Sequence, residues 1–316
     1  MRESNPTPSA VSTKQCRARS IAVRAKQTNE QGRPGSNLAS LTPIYAPFRT
    51  FFVRFGSFWR PDAAATVLPL QVIAVGEGVL VPRPETELLV DFALEASAAQ
   101  GGALRSLPWA DLGTGSGALA VALARGLPGG AAVGALDASP TALHWAAANA
   151  ERLAPRGRVR CVRGSWERAA GEADVAAAGL GEACGVPSPS TAGAFAGVVS
   201  NPPYIPAARL PSLQAEVREY EPWLALDGDS DGQRVAADYP EDIPGVRVPF
   251  EAARLAARLL APGGFLAMEV DGAAQSHALA EAMARRSALG EAVAFDSVEV
   301  RQDYAGVERF IVGLRS

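Results

Sequence analysis

From Val79 to the C-terminus, short apolar runs alternate with longer segments in which apolar residues recur at helical spacing. Short apolar runs are typical of buried strands, whereas the longer pattern is typical of helices packed on a sheet. The predicted strands lie near 107–113, 131–137, 158–163, 195–200, 263–270, 293–300 and 307–314. The predicted helices lie near 85–100, 116–126, 140–153, 250–261 and 273–288. This alternation favours an α/β domain with a mainly parallel sheet.

Residues 1–40 have no such pattern and are rich in Ser, Thr, Pro, Gln and Arg, a composition that cannot bury enough apolar surface to fold alone. Within them, Ser9–Lys26 carries hydroxyl groups and arginines without acidic residues, and Ile21–Ala25 resembles a plastid processing site. We therefore predict a transit peptide and an organellar protein, in the plastid rather than the mitochondrion. A disordered tail is the alternative.

Three further stretches depart from the regular pattern. Residues 41–78 contain many aromatic side chains and are predicted to pack on the main domain, which we place at 79–316. Residues 168–193 are rich in Ala, Gly, Ser and Pro, and 229–248 contains repeated Asp, Gly and Pro. Both are longer than ordinary connections, so we predict surface insertions or lids there.

Composition indicates a soluble, enzyme-sized chain: 48% of the 316 residues are hydrophobic and 20% are charged. No apolar run approaches the roughly 20 residues that cross a bilayer, so no membrane association is expected. The three cysteines include no CxxC pair, and the two histidines have no neighbouring ligand cluster, so no metal site is predicted. A monomer is the simplest assembly.

The net charge of −3 conceals an uneven distribution. Residues 1–60 hold ten Lys and Arg against two acidic residues, which leaves 20 basic and 31 acidic residues in the rest of the chain. Proteins that bind nucleic acid through phosphates usually present a basic face. The acidic body therefore argues against a nucleic-acid partner.

A glycine-rich loop, Gly113-Thr114-Gly115-Ser116-Gly117, follows a short apolar strand and precedes a helix. Glycines allow a sharp turn and a close approach of the backbone to a ligand. Asp137 ends the next strand, twenty residues after the loop, where a carboxylate can accept hydrogen bonds from both ribose hydroxyls. The spacing predicts a nucleoside-bearing cofactor.

Asp111 stands just before this turn, whereas an NAD-binding loop is distinguished by a pyrophosphate held at the N-terminus of the following helix. An acidic residue there suits a cationic ligand, and S-adenosylmethionine carries both an ammonium and a sulfonium group. Asp111 can serve the ammonium directly or through water. We therefore favour S-adenosylmethionine over NAD as the cofactor.

A second turn, Asn201-Pro202-Pro203-Tyr204, follows another buried strand. The two prolines lack N–H groups, which leaves the carbonyl of Pro202 free to face a substrate, and the Asn201 side chain adds a second neutral acceptor. Two such acceptors match the two N–H bonds of an amide or an aromatic amine and stabilise the positive charge of methyl transfer. Tyr204 is predicted to stack on the planar acceptor.

Four segments together resemble, in order, the HemK/PrmC family of protein-(glutamine-N5) methyltransferases. They are Val79–Val90, which contains Pro-Arg-Pro-Glu-Thr-Glu; the loop Asp111–Gly117; the turn Asn201–Tyr204; and Glu221–Gly228. The resemblance covers about residues 70–316. It implies a Rossmann-like, seven-stranded class I methyltransferase fold and an acceptor glutamine in the GGQ loop of a peptide chain release factor.

The resemblance also implies roles for individual residues. The cofactor would be held by Asp111, Gly113, Thr114, Gly115, Ser116, Gly117, Asp137, Trp166 and Asn201. Asn201, Pro202, Pro203 and Tyr204 would orient the glutamine amide, and Glu85 would shape the substrate entrance. Ser165 stands where the family typically has Asp, so one carboxylate contact to the adenine amino group is either missing or supplied by another residue.

Two other functions fit part of this pattern. Asn-Pro-Pro-Tyr chemistry also suits methylation of adenine N6 or guanine N2 in DNA or RNA, but that function requires a basic channel and space for a flipped base. Only Arg209 and Arg218 flank the turn. The chain could alternatively be an interaction module that binds the cofactor without turnover.

Overall fold

The computed structural model describes residues 51–55, 71–166, 179–186, 193–230, 240, 242–285 and 295–316. The predicted transit peptide at 1–40 lies outside the described residues, as do much of 41–78, most of 168–193 and the centre of 229–248. The strands are β1 Phe51–Phe55, β2 Gln71–Val75, β3 Trp109–Leu112, β4 Val133–Asp137, β5 Val159–Arg163, β6 Phe195–Ser200, β7 Leu260–Glu269, β8 Phe295–Gln302 and β9 Glu308–Arg315.

Seven of these strands form one sheet in the order β5-β4-β3-β6-β7-β9-β8. Neighbouring strands from β5 through β7 are parallel, whereas β9 is antiparallel to both β7 and β8. This is the class I methyltransferase sheet that the resemblance implied. The central strand β3 has four buried residues, as expected for a parallel strand covered on both faces.

Helices cover both faces of the sheet. The α-helices are α1 Glu87–Ala99, α2 Ala118–Gly126, α3 Pro140–Leu153, α4 179–183, α5 Ala215–Tyr220, α6 Arg247–Leu259 and α7 Ala273–Ala284. Short 3₁₀ turns lie at Gly102–Ser106, Pro128–Gly130, Ala207–Ser212 and Trp223–Ala225. One apolar core contains residues of α1, α2 and α3, and the other contains residues of α4, α6 and α7. The sheet therefore separates two hydrophobic layers.

The order in which successive strands are added to the sheet reverses at β3. From β3 the chain proceeds outward through β4 to β5, and then returns to place β6 on the other side of β3. The carboxyl ends of β3 and β6 consequently lie side by side, with Leu112 opposite Ser200. In open α/β sheets a ligand crevice forms at such a reversal.

Strand β2 pairs with β1 and is joined to α3 by Asn149, whose side chain is fully buried. Its Oδ1 accepts a hydrogen bond from Ala74 N at 2.9 Å, and its Nδ2 donates to Ala74 O at 2.8 Å. The same Nδ2 donates to the carbonyl of Ser116 at 2.9 Å. One side chain thus connects the segment before the main domain to the glycine-rich loop.

The prediction that 168–193 and 229–248 lie on the surface is wrong for some of their described residues, which are buried. Leu180 of α4 has no solvent-exposed surface and packs beside Gly134 of β4. Val246 and Val248 belong to the same apolar core. Their apolar side chains bury against the sheet although the sequence around them is rich in Gly, Pro and Asp. The predicted helix at 250–261 also begins and ends earlier, as α6.

Within the described ranges, no helix combines the length and apolar character needed to span a bilayer.

Candidate active site

The glycine-rich loop and the Asn201 turn begin at adjacent positions on the carboxyl edge of the sheet. Leu112 ends β3 opposite Ser200, which ends β6, and Ser200 Oγ donates a hydrogen bond to Leu112 O at 2.8 Å. Gly113 directly follows β3, and Asn201 directly follows β6. The two motifs that sequence analysis singled out are therefore brought together by strand register.

The loop requires glycine at two places for different steric reasons. Gly113 has φ +75°, and a Cβ there would lie 2.9 Å from Cη2 of Trp166. Gly117 has φ +80°, and a Cβ there would lie 2.9 Å from the Cα of Ala146. Left-handed backbone is costly for other residues. The loop thus turns tightly into α2 and leaves its backbone open to a ligand.

Asp111 lies beneath the loop and is fully buried. Its Oδ2 accepts hydrogen bonds from Thr114 Oγ1 at 2.7 Å and from Ala120 N at 3.1 Å. Its Oδ1 makes no hydrogen bond with the described residues. Burial raises the pKa of this carboxyl from 3.8 to about 7. A buried acceptor without a donor fits the ammonium of S-adenosylmethionine, because a cation nearby would stabilise the charged form.

Asp137 ends β4 next to the loop. Its Oδ2 accepts from Gly115 N at 2.9 Å and its Oδ1 accepts from Ser139 N at 2.8 Å. Burial raises the pKa of this carboxyl. Each carboxylate oxygen can accept more than one hydrogen bond, so the anchored group can still receive ribose hydroxyls.

A single open cavity is lined by the glycine-rich loop, Asp137 and part of the Asn201 turn. It encloses about 970 Å³ including its solvent-filled mouth. The predicted site residues that line it are Gly113, Thr114, Gly115, Ser116, Asp137, Trp166, Asn201 and Pro203. Among the residues that the structure describes, the lining does not include Asp111, Gly117, Pro202, Tyr204 or Glu85. Both motifs thus open onto one space of the size that holds a nucleoside cofactor.

Trp166 forms one wall of the cavity and is only 9% exposed. Its Nε1 is buried and makes no hydrogen bond with the described residues. Ser165 also lines the cavity. A flat indole beside the glycine loop fits the predicted contact with an adenine ring.

The Asn201 turn is held by neighbours on several segments. Asn201 Nδ2 donates to Thr86 Oγ1 at 3.2 Å, and the hydroxyl of Tyr204 donates to Glu269 Oε1 at 3.0 Å. Gln275 Nε2 donates to the carbonyl of Tyr204 at 2.9 Å. Gly245 must lack a side chain, because a Cβ there would lie 2.3 Å from that carbonyl. The turn is therefore rigidly positioned beside the cavity.

Thr86 and Glu269 are not among the site residues predicted from the sequence, and these two residues contact each other: Thr86 Oγ1 donates to Glu269 Oε2 at 2.7 Å. Thr86 lines the cavity, whereas the neighbouring Glu85, which we had predicted at the entrance, does not. Glu269 is a charged residue closing an apolar strand at the ligand-binding edge, as Asp137 does on β4. That signal could have identified it.

An ion pair connects two of the family segments. Arg83 donates from one nitrogen to both carboxylate oxygens of Glu221, at 2.7 and 2.8 Å. Glu221 is buried, and burial raises the pKa of its carboxyl while the Arg83 guanidinium opposes that shift. The pair holds Pro222, Leu224 and Ala225, which line the cavity, against the segment that precedes α1.

The described residues contain no group of three or more His, Cys, Asp or Glu side chains arranged to hold a metal ion.

Replacing Asp111 with Asn is expected to stabilise the cofactor-free protein above pH 7 and to weaken cofactor binding. Because the folded-state pKa of about 7 exceeds the unfolded value of 3.8, the carboxyl destabilises the fold progressively as pH rises between these values. Asn keeps an acceptor for Thr114 and Ala120 but carries no charge. We expect a higher melting temperature at pH 8 and a loss of S-adenosylmethionine affinity of roughly 10- to 100-fold.

Thermal unfolding between pH 5 and pH 8 and calorimetry with the cofactor measure the two effects. Glu269 is also buried with a pKa of about 7, so the Asp111→Asn variant should keep part of the pH dependence. An unchanged melting temperature at pH 8 together with unchanged affinity would contradict the assignment of Asp111.

No protein-family profile matches the chain. Solved structures that align with the chain include the O-methyltransferase TomG from Streptomyces achromogenes in complex with SAM, with a TM-score of 0.40, 16% identity, and coverage of 75% of this chain and 81% of that one. They also include TrmN from Thermus thermophilus, with a TM-score of 0.41, 17% identity, and coverage of 78% and 56%.

Curated relatives are much more similar in sequence, and three examples are each named release factor glutamine methyltransferase. The Gloeobacter violaceus protein is 40% identical over 240 residues, which cover 76% of this chain and 68% of the relative. The Chlorobaculum tepidum protein is 40% identical, with 74% and 67% covered, and the Moorella thermoacetica protein is 36% identical, with 82% and 80% covered. With this identity over two thirds or more of each relative, and with the loop and turn joined in one cavity, the chain belongs to the release factor glutamine methyltransferase family.

Proposed function

We infer that this protein transfers a methyl group from S-adenosylmethionine to the side-chain amide nitrogen of a glutamine in a release factor. The observation that carries this inference is the single cavity lined by both Gly113–Ser116 and Asn201. A cofactor loop and an acceptor for amide hydrogens in one space allow donor and acceptor to meet. The curated relatives carry this activity in their names.

The cofactor supplies an activated methyl group on its sulfonium, and the chain supplies binding and orientation. The glycine loop and Asp137 would hold the nucleoside and amino-acid parts, and Trp166 would flank the adenine. The Nδ2 of Asn201 is engaged by Thr86, so its Oδ1 is the atom available to accept an N–H from the substrate amide. That hydrogen bond becomes stronger as the amide nitrogen acquires positive charge.

Within this function we propose that the acceptor is the glutamine of the GGQ loop and that Asn201, Pro202, Pro203 and Tyr204 orient its amide. A glutamine with two small neighbours can enter a cavity whose lining includes Pro82, Pro203 and Pro222. Neutral acceptors suit an amide, which carries no charge of its own, better than they suit a lysine ammonium.

The direct test uses purified protein, labelled cofactor and a plastid release factor, with GGQ changed to GGA in a parallel reaction. We expect label in the wild-type release factor and none in the GGA form. Label that persists in the GGA form would exclude the proposed acceptor.

Two observations favour a protein substrate over DNA or RNA. The two arginines near the turn are paired with acidic residues: Arg209 with Asp271 and Arg218 with Glu219. The acidic body of the chain would repel phosphates. Labelling of total RNA or DNA that is lost on nuclease treatment would contradict this choice. Calorimetric cofactor binding without any turnover would instead indicate an interaction module.

An exposed apolar edge, one residue of which lines the cavity, is expected to contact the release factor. It consists of Tyr220, Trp223 and Leu224, which are 70%, 53% and 51% exposed, and Leu224 also lines the cavity. We expect Trp223→Ala to raise the KM for the release factor by roughly tenfold, because an exposed aromatic beside a site is a typical binding residue. The affinity for S-adenosylmethionine should stay unchanged.

Tyr304→Ala is the matched control, because Tyr304 is 52% exposed and lies in the turn between β8 and β9. Its KM for the release factor should equal that of the wild type. Equal effects of both substitutions would show that the edge is not a specific contact.

We propose that the protein acts in an organelle, in the plastid rather than the mitochondrion. The support is the acid-poor, hydroxyl-rich and Arg-bearing composition of residues 1–40. A fluorescent reporter fused after residue 40 should be imported into plastids. A reporter that remains in the cytosol would contradict the proposal.

We also propose that the protein acts as a monomer, because a monomer is the simplest assembly. Light scattering during size-exclusion chromatography should give a mass near 33 kDa or less, against 32.8 kDa for the whole chain. A stable dimer would contradict this expectation.

A further inference from the structure

Glu269 is a buried carboxylate that bridges two segments of the site. It is the last residue of β7, is 1% exposed, and lies next to the strand that leads into the Asn201 turn. Its Oε2 accepts from Thr86 Oγ1 at 2.7 Å, and its Oε1 accepts from the Tyr204 hydroxyl at 3.0 Å. Each oxygen of one carboxylate is thus assigned to one hydroxyl.

The single hydroxyl hydrogen of Thr86 determines which atom of the Asn201 amide faces Thr86. A threonine hydroxyl has one hydrogen, and Thr86 gives it to Glu269. Toward Asn201, which lies 3.2 Å away, Thr86 can therefore only accept. The amide atom that faces Thr86 must be the donor Nδ2. The other amide atom, the acceptor Oδ1, is then directed away from Thr86.

We propose that Glu269 is a positioning residue for methyl transfer, which acts through Thr86 to fix the Asn201 amide with its oxygen available to the substrate amide, and through Tyr204 to hold the same turn. The proposal rests on the function inferred above, because it concerns how the acceptor nitrogen is oriented. Glu269 itself touches neither substrate nor cofactor in this role.

A protonated Glu269 would undo the arrangement. A neutral carboxyl donates its O–H from one of its two oxygens, so the hydroxyl that faces this oxygen must accept where it had donated. When it donates to Thr86, the threonine hydrogen is released and can point at Asn201, which favours the flipped amide. The flipped amide would present its N–H groups to the N–H groups of the substrate, and two donors cannot bond.

The groups around Glu269 place this change near neutral pH. Burial raises the pKa of Glu269 to about 7, against the hydrogen bonds from Thr86 and Tyr204 and the charge of Arg309 on β9. Glu85, before α1, raises it further. Burial and the charge of Glu269 hold the pKa of Tyr204 well above its usual value, so the phenol remains a donor.

The expected kinetic result is a kcat that rises with pH through about 7 in the wild type, because only the carboxylate accepts from both hydroxyls. In Glu269→Gln one side-chain atom is an acceptor and the other a donor, so one of the two hydroxyls can no longer donate to this side chain and must accept from it instead. We expect kcat at saturating cofactor to fall roughly 10- to 100-fold and to lose its rise through pH 7. The affinity for S-adenosylmethionine should change less than about threefold.

Two substitutions of Thr86 test its contacts with Glu269 and Asn201. Thr86→Ser keeps the hydroxyl and should retain most of the wild-type kcat, whereas Thr86→Val keeps the shape and should fall as far as Glu269→Gln. These variants test the hydrogen-bonded series Glu269–Thr86–Asn201, called the relay below, even if Glu269→Gln fails to fold. Equal kcat values for the Ser and Val variants would overturn the proposal, as would a Glu269→Gln enzyme with wild-type kcat and pH profile.

A measurement made in the absence of a release factor distinguishes this proposal from the proposed function. The side-chain NH2 signals of Asn201 can be identified by NMR from their absence in Asn201→Ala. They should shift with a midpoint near pH 7 in the wild type and in Asp111→Asn, and stay constant in Glu269→Gln. Signals that do not titrate in the wild type would overturn the relay, whereas a release factor that accepts no label would overturn only the function.

Discussion

Asn201→Ala is expected to lower kcat for release factor methylation by roughly 10²- to 10³-fold. The substitution removes the Oδ1 that accepts an N–H of the substrate amide as positive charge develops on its nitrogen. Cofactor affinity should change less than about threefold, because the loop and Asp137 remain. Single-turnover methylation and calorimetry with S-adenosylmethionine measure the two quantities.

Ser200→Ala is the matched control for Asn201→Ala. Ser200 is the preceding residue, fully buried, and donates to Leu112 O at 2.8 Å, but it does not line the cavity. Its loss should lower the free energy of unfolding by about 1 kcal/mol and leave kcat near the wild-type value. If both variants lose kcat equally, the effect comes from a distorted turn and not from the missing amide.

Gly113→Ala is expected to weaken S-adenosylmethionine binding by roughly 10- to 100-fold. Its new Cβ would lie 2.9 Å from Cη2 of Trp166, so the indole that forms the adenine wall must move. The φ of +75° adds a backbone cost of about 1–2 kcal/mol to the fold. Calorimetry should show the loss of affinity, and thermal unfolding should show the loss of stability.

Gly130→Ala separates these two causes. Gly130 has φ +76°, nearly the same as Gly113, but a Cβ there would meet no atom within 4 Å. This variant should lose a similar amount of stability and keep wild-type cofactor affinity. Wild-type affinity in Gly113→Ala would mean that Trp166 moves without cost or does not contact the adenine.

The core elements were predictable because local pattern and tertiary structure agree over most of the domain. The strand predicted at 195–200 and the helix at 140–153 have the bounds that the structure gives them. The errors fall where burial is decided by distant residues. Leu180 and Val246 lie in Gly-, Ala- and Pro-rich sequence that indicates surface, yet each packs against the sheet.

The site was predictable to the level of its motifs but not to the level of its hydrogen bonds. The glycine loop and the Asn201 turn each have a local signature that is readable without structure. Thr86 and Glu269 do not, because their roles depend on a contact between residues 183 positions apart. The family resemblance implied Glu85 at the substrate entrance, but of these two neighbours only Thr86 lines the cavity.

By itself, the sequence determined the layered α/β fold, the cofactor loop with its left-handed glycines and the turn that presents neutral acceptors. These features depend on periodicity, backbone conformation and residue chemistry, which are local properties. Only the tertiary structure decided that Asn201 points its amide nitrogen at Thr86 and that Glu269 is buried between two hydroxyls. Hydrogen-bond direction and the pKa of a buried carboxyl depend on which atoms surround a group, and those atoms come from segments far apart in the chain.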